Sequence, residues 1–120
     1  MSQQDTTRDQ TRVVAANDRT LEGVEELSLV VLQSPAADLI GRRYDIEILP
    51  TSLGRTLDNE VVLNEESISR RHARMTREEG RWRVEDLGST NGTYVNQQPA
   101  GSGLPLRAGD KLIVGRTVLK

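Results

Sequence analysis

Two arginines, two hydroxyls and an amide stand out in this sequence by type and spacing. Arg55 follows Gly54, Ser69 and Arg70 open the run S-R-R-H, and Thr90 and Asn91 sit inside D-L-G-S-T-N-G-T. A guanidinium is a planar fork of N–H donors that can grip a phosphate bidentately. Hydroxyls and a carboxamide add neutral donors around it. Together these groups describe a site for a phosphate. His72 lies three residues beyond Ser69, which raises the question of nucleophilic catalysis. In a strand, however, an odd spacing sends two side chains to opposite faces. No Asp or Asn is placed to orient the ring. His72 therefore reads as a packed residue that fixes its loop, and catalysis by the pair is the weaker reading.

The elements that must position these groups are short strands. Strand-like runs are Leu27 to Leu32, Tyr44 to Leu49, Val61 to Leu63, His72 to Arg77, Arg81 to Leu87, Thr93 to Asn96, Leu104 to Arg107, Lys111 to Gly115 and Thr117 to Lys120. Pro50 interrupts the second run, and S-L-G-R follows it. In R-W-R-V-E-D-L the alternation turns Trp82, Val84 and Leu87 inward and leaves Arg81, Arg83 and Glu85 to water. Breakers separate the runs at Glu79-Gly80, Asn91-Gly92, Gly101 to Gly103 and Gly109-Asp110. Asn91-Gly92 is a strong tight-turn signal whatever the function. Many short strands with turns between them predict an all-β sandwich or barrel. Each polar signal ends an apolar run, so the signals gather on loops at one end of the scaffold.

Bulk properties narrow the classes. With 120 residues the chain supports one domain and a tail. Residues 1–26 are polar, with a brief apolar stretch at Val13-Val14-Ala15-Ala16, and read as a flexible tail. Residues 27–120 read as the folded domain. A net charge of -2 is too small to draw the chain to nucleic acid or membrane through a global field. No cysteine is present, which removes disulfides and thiolate metal sites. No secretory leader or membrane-length apolar run is visible, and a cytoplasmic protein without cofactor or metal is expected. The strand-like run that reaches Lys120 leads us to expect a longer protein.

The ordered signals G-R, S-R-R-H, D-L-G-S-T-N-G-T-Y-V-N and G-D resemble the forkhead-associated (FHA) domain family over about Glu26 to Lys120. The resemblance implies an antiparallel β-sandwich of two sheets that binds phosphothreonine peptides through loops at one end and is not itself an enzyme. By position it implies that Arg55 grips the phosphate, Ser69 donates its hydroxyl to it, and Arg70 reaches the phosphate or the peptide backbone. Thr90 would line the pocket and Asn91 would bond the ligand's main chain. Gly54, His72, Asp86 and Gly92 would support the site. A phosphothreonine carries about -1.5 to -2 charges and three acceptor oxygens, which two guanidiniums complement. A niche for the γ-methyl would favour Thr over Ser by on the order of 0.8 kcal/mol.

The family also reads the third residue after the phosphothreonine, often an aliphatic one. Of the tail threonines, Thr11 has Val14 there, whereas Thr6 has Asp9, Thr7 has Gln10 and Thr20 has Gly23. The resemblance thus implies a phosphothreonine protein or peptide as partner, with the chain's own tail phosphorylated on Thr11 as one candidate, and a Ser/Thr kinase upstream. Such domains can also act as sensory input to an effector such as a diguanylate cyclase. The alternative is a phosphate-independent scaffold or oligomerisation domain.

Overall fold

Period-2 burial organises the polypeptide from Leu27 onward. The computed structural model describes residues 27–120. The tail and Thr11 lie outside the described residues. The strands are β1 (Leu27–Gln33), β2 (Arg43–Ile46), β3 (Thr51–Gly54), β4 (Val61–Val62), β5 (Ala73–Glu78) and β6 (Arg81–Asp86). They continue as β7 (Thr93–Val95), β8 (Gln98–Pro99), β9 (Leu104–Leu106), β10 (Leu112–Val114) and β11 (Thr117–Leu119). One 3-10 turn, Ala37–Leu39, interrupts them.

The strands form two sheets, in the orders β2-β1-β11-β10-β7-β8 and β4-β3-β5-β6-β9. Every pairing is antiparallel except the short parallel contact of β3 with β4. The protein is an all-β sandwich, as the alternation predicts. Inward side chains of both sheets make one core, in which Val31, Leu53, Met75, Val84, Leu112 and Leu119 are all but inaccessible. Each such side chain contributes roughly 1.5–3 kcal/mol.

Local differences from the sequence reading have plain causes. Trp82 and Val84 point inward, but Leu87 is only half-buried because β6 has already ended. Arg83 and Glu85 are half-buried rather than open to water. Arg83 pairs with Glu78 at 3.3 Å, and Glu85 pairs with Arg74. β2 stops at Ile46, and the chain crosses to the other sheet as β3 beyond Pro50. T-S-L-G carries one large apolar residue, so its burial was invisible to periodicity. All four residues are buried, and the Glu60 carboxylate accepts from the Ser52 N–H and hydroxyl, both at 2.9 Å. The short β8 and the 3-10 turn gave no periodic signal at all.

Candidate functional site

Three loops meet at one end of the sandwich: residues 55–60 after β3, residues 63–72 before β5, and residues 87–92 between β6 and β7. Backbone and side-chain bonds lace them together. Arg55 N–H donates to Ser69 O at 3.1 Å, joining the first loop to the second. Gly54 makes that approach possible. A β-carbon there would stand 2.1 Å from Arg70 O and 2.6 Å from Asn59 Nδ2. Asn59 Nδ2 donates to Arg70 O at 2.8 Å and to Thr56 O at 2.9 Å. The third loop is tied to the second by Thr90 N–H to Ser69 Oγ at 3.1 Å and by Asn91 Nδ2 to Ser67 O at 2.7 Å.

His72 is fully buried at the junction. Its Nδ1 accepts from Ser69 N–H at 3.0 Å, so Nε2 carries the hydrogen and donates to Gly92 O at 2.8 Å. Both ring nitrogens are thus spent on loop backbones, and the Ser69 hydroxyl faces Thr90 instead. The pair is not a nucleophile with its base. Asp86 holds the third loop from beneath. Its carboxylate accepts from the N–H groups of Gly88 and Ser89, both at 3.0 Å, from the Ser89 hydroxyl, and from Thr93 Oγ1 at 2.7 Å. Burial pushes this carboxyl up, but the bonds from Ser89, Thr93 and Gly88 outweigh that and hold it below the ordinary carboxylate range. Gly92 has a φ of +88°, which an L side chain rarely adopts, and the Tyr94 ring lies 3.0 Å from where its β-carbon would be.

The five residues read as phosphopeptide contacts, Arg55, Ser69, Arg70, Thr90 and Asn91, all lie on these laced loops. Arg55 is exposed, and its Nε donates to Ile68 O at 2.9 Å. That bond aims the guanidinium while leaving both terminal amino groups without a partner among the described residues. Arg70 is exposed through its side chain while its carbonyl is held by Asn59. Ser69 Oγ uses one lone pair on Thr90 and keeps its own hydrogen to donate. Asn91 commits one amide hydrogen to Ser67, which leaves its second N–H and its oxygen to meet a ligand main chain. Thr90 is exposed at the rim. Neighbouring Arg71 is different, because it pairs with Asp58 at 3.5 Å.

Sequence reasoning missed the second support of these loops. Glu65 is buried and accepts from Ser67 N–H at 2.6 Å, Ser67 Oγ at 2.5 Å and Thr117 Oγ1 at 3.3 Å. Burial pushes Glu65 up, yet the bonds from Ser67 and Thr117 and the charge of Arg116 bring it below its ordinary value. Arg116 N–H in turn donates to Ser67 Oγ at 2.8 Å, attaching the β10–β11 turn. Nothing in N-E-E-S separates the buried Glu65 from the exposed Glu66. Among the described residues no cluster of His, Cys, Asp or Glu could hold a metal, and no helix is long and apolar enough to cross a membrane.

A β-sandwich with aimed arginine and hydroxyl groups on laced end loops is the architecture of a phosphopeptide-binding module. The family model for the FHA domain matches residues 51–115. The chain belongs to the FHA domain family, whose members bind phosphothreonine peptides and are not catalysts. It is 38% identical over 107 residues to the glycogen accumulation regulator GarA of Mycolicibacterium smegmatis, covering 85% of this chain and 65% of that protein. It is 38% identical over 103 residues to the oxoglutarate dehydrogenase inhibitor of Corynebacterium jeikeium, covering 84% and 69%. The chain thus spans about two thirds of the length of these relatives. An FHA domain solved in a study of phosphothreonine-dependent interactions superposes with a TM-score of 0.68 at 27% identity, over 79% of this chain and 93% of that one. The kinase-interacting FHA domain of an Arabidopsis kinase-associated protein phosphatase gives 0.67 at 28%, over 78% and 89%.

Proposed function

We propose that this chain binds phosphothreonine peptides at the loop end, with Arg55 and Ser69 on the phosphate, Arg70 and Thr90 beside it, and Asn91 on the ligand main chain. The aim of Arg55 carries the reading. Its Nε bond to Ile68 O fixes the guanidinium without spending its terminal donors on another described residue. Charge-assisted bonds of this kind are each worth about 1.5–3 kcal/mol against loss of the partner.

One ligand is the chain's own N-terminal segment, phosphorylated on Thr11 by a Ser/Thr kinase. Val14 three residues on supports that choice over the other threonines. A short tether supplies an effective concentration of about millimolar, so a modest intrinsic affinity suffices in cis. The names of the relatives, a regulator and an inhibitor of a metabolic enzyme, favour a chain that controls such an enzyme over an input domain for a diguanylate cyclase.

The test is a titration of a synthetic peptide spanning residues 5–17 into the protein, with and without phosphate on Thr11. Saturable binding of the phosphorylated peptide alone is expected. No binding at high micromolar concentration of either form would remove Thr11 as a ligand.

A further inference from the structure

The outer face of the six-stranded sheet carries two adjacent rows of different character. The first is apolar. Ile113 stands opposite Val118 on one side and Tyr94 on the other, and Tyr94 stands opposite Pro99. Leu32 extends the row beyond Val118 at a bulge in β1 and is 41% exposed. The row therefore crosses five strands, β1, β11, β10, β7 and β8, on the solvent side, where single scattered apolar residues would be ordinary but a continuous band is not. A groove of about 490 Å³ covers the Leu32, Val118 and Ile113 part of it and extends from there to Lys111, Asn96 and Gly109.

The second row lies one step further from the binding loops and is cationic. Lys120 pairs with Val30 through two backbone bonds of 2.9 and 3.0 Å, and Lys111 pairs with Asn96. The β10–β11 register, Leu112 with Leu119, puts Lys111 beside Lys120. Neither lysine has an ion-pair partner among the described residues. Arg43, opposite Val30, shares its charge with Asp45 at 2.8 Å.

We infer that the N-terminal segment from Val13 to Glu26 docks on this face, its acids over the lysine row and Val13-Val14-Ala15-Ala16 over the apolar row. The complement is in the sequence: residues 17–26 hold Asp18, Glu22, Glu25 and Glu26 against one base, Arg19. The order also fits. The segment joins the sheet at Leu27, on the side away from the binding loops, so a chain returning along the face meets the lysine row first and the apolar row second. Leu32 lies about 17 Å along β1 from Leu27. The ten residues between Ala16 and Leu27 reach up to roughly 38 Å, enough to turn and return. Thr11 is then delivered beside Tyr94, whose ring packs over Gly92 of the third binding loop. This docking goes beyond the phosphate reading, because it needs neither a phosphorylated Thr11 nor Arg55.

The chain has no cysteine, so a single Ala16→Cys carries a nitroxide label cleanly. In the unphosphorylated 120-residue protein, the amide signals of Leu32, Ile113 and Val118 should lose more than half their intensity. Those of Thr76 and Arg83, paired on the opposite sheet, should keep theirs. Lys111→Glu with Lys120→Glu should cut this contrast several-fold, and Arg55→Ala should leave it intact. Equal attenuation on both sheets, a contrast indifferent to the lysine changes, or its loss in Arg55→Ala would each overturn the inference. So would attenuation that arises only between a labelled copy and a separate unlabelled one, since the occupant would then be a second molecule's segment.

Discussion

At the end of the sandwich that holds Glu79-Gly80 and Asn96-Gln97, hairpins close largely on backbone geometry. Both central residues of each turn have positive φ, 52° and 78° in the first and 48° and 77° in the second. That is the mirror-image turn whose twist matches paired strands. At the opposite end the loops are longer and are shaped by side chains that are buried or, for Asp86, half-buried. His72, Asp86, Asn59 and Glu65 each reach into a loop and bond its backbone. The difference is between turns that only reverse the chain and loops that must hold donors still before a ligand arrives. Preorganised donors bind at a smaller ordering cost, and that is what these polar groups supply.

Substitutions at the two ends should therefore behave unequally. The largest effect is expected at Gly54→Ala, whose methyl would meet the Arg70 carbonyl. Backbone cannot step aside cheaply, and chemical denaturation should show a loss of about 3 kcal/mol or more. Next comes Asp86→Ala, which leaves the Ser89 and Gly88 amides and the Thr93 hydroxyl without their acceptor. A loss of about 2 kcal/mol is expected, together with faster amide exchange in residues 87–92. At the other end Glu79→Gly keeps the φ of +52° that the turn needs. Relief of the left-handed backbone and the greater freedom of the unfolded chain oppose one another, and the change should stay within about 0.5 kcal/mol.

Acid should loosen the binding loops ahead of the strands beneath them. Asp86 and Glu65 both titrate below their ordinary values in the folded chain. A depressed folded value stabilises the fold above the unfolded value, near pH 4, and that stability drains as pH falls through the folded value. Stability measured from pH 6 down to 3 should fall, with amide protection at Ser89 and Ser67 lost before protection in β5 and β6. Asp86→Ala should flatten the decline.

How much of this was legible beforehand follows the same division. The strands that alternate cleanly, such as Arg81–Asp86 and Leu112–Val114, were visible because one face is buried and one is wet. The residues proposed to contact the phosphopeptide stood out because arginine, serine and asparagine at strand ends have few structural reasons to cluster. Thr51–Gly54 was not visible, because both faces are buried and its two polar residues are satisfied from outside the strand, Ser52 by the distant Glu60 and Thr51 by the Ile48 carbonyl. Glu65 and Asn59 were hidden for a related reason. A buried polar residue differs from an exposed one only by partners that the fold brings from elsewhere, as Thr117 comes to Glu65 across 52 positions.

The central claim is that Arg55 is aimed at a phosphate while its neighbour Arg71 is not. Binding of a phosphothreonine peptide to Arg55→Ala and to Arg71→Ala, measured side by side with thermal unfolding of both, tests it most directly. Arg55→Ala should weaken binding by roughly a hundredfold or more, equivalent to about 3 kcal/mol, with its melting temperature nearly unchanged. Arg71→Ala, which removes only the exposed pair with Asp58, should bind within a few-fold of the parent. Equal losses in the two variants, or full binding by Arg55→Ala, would contradict the account.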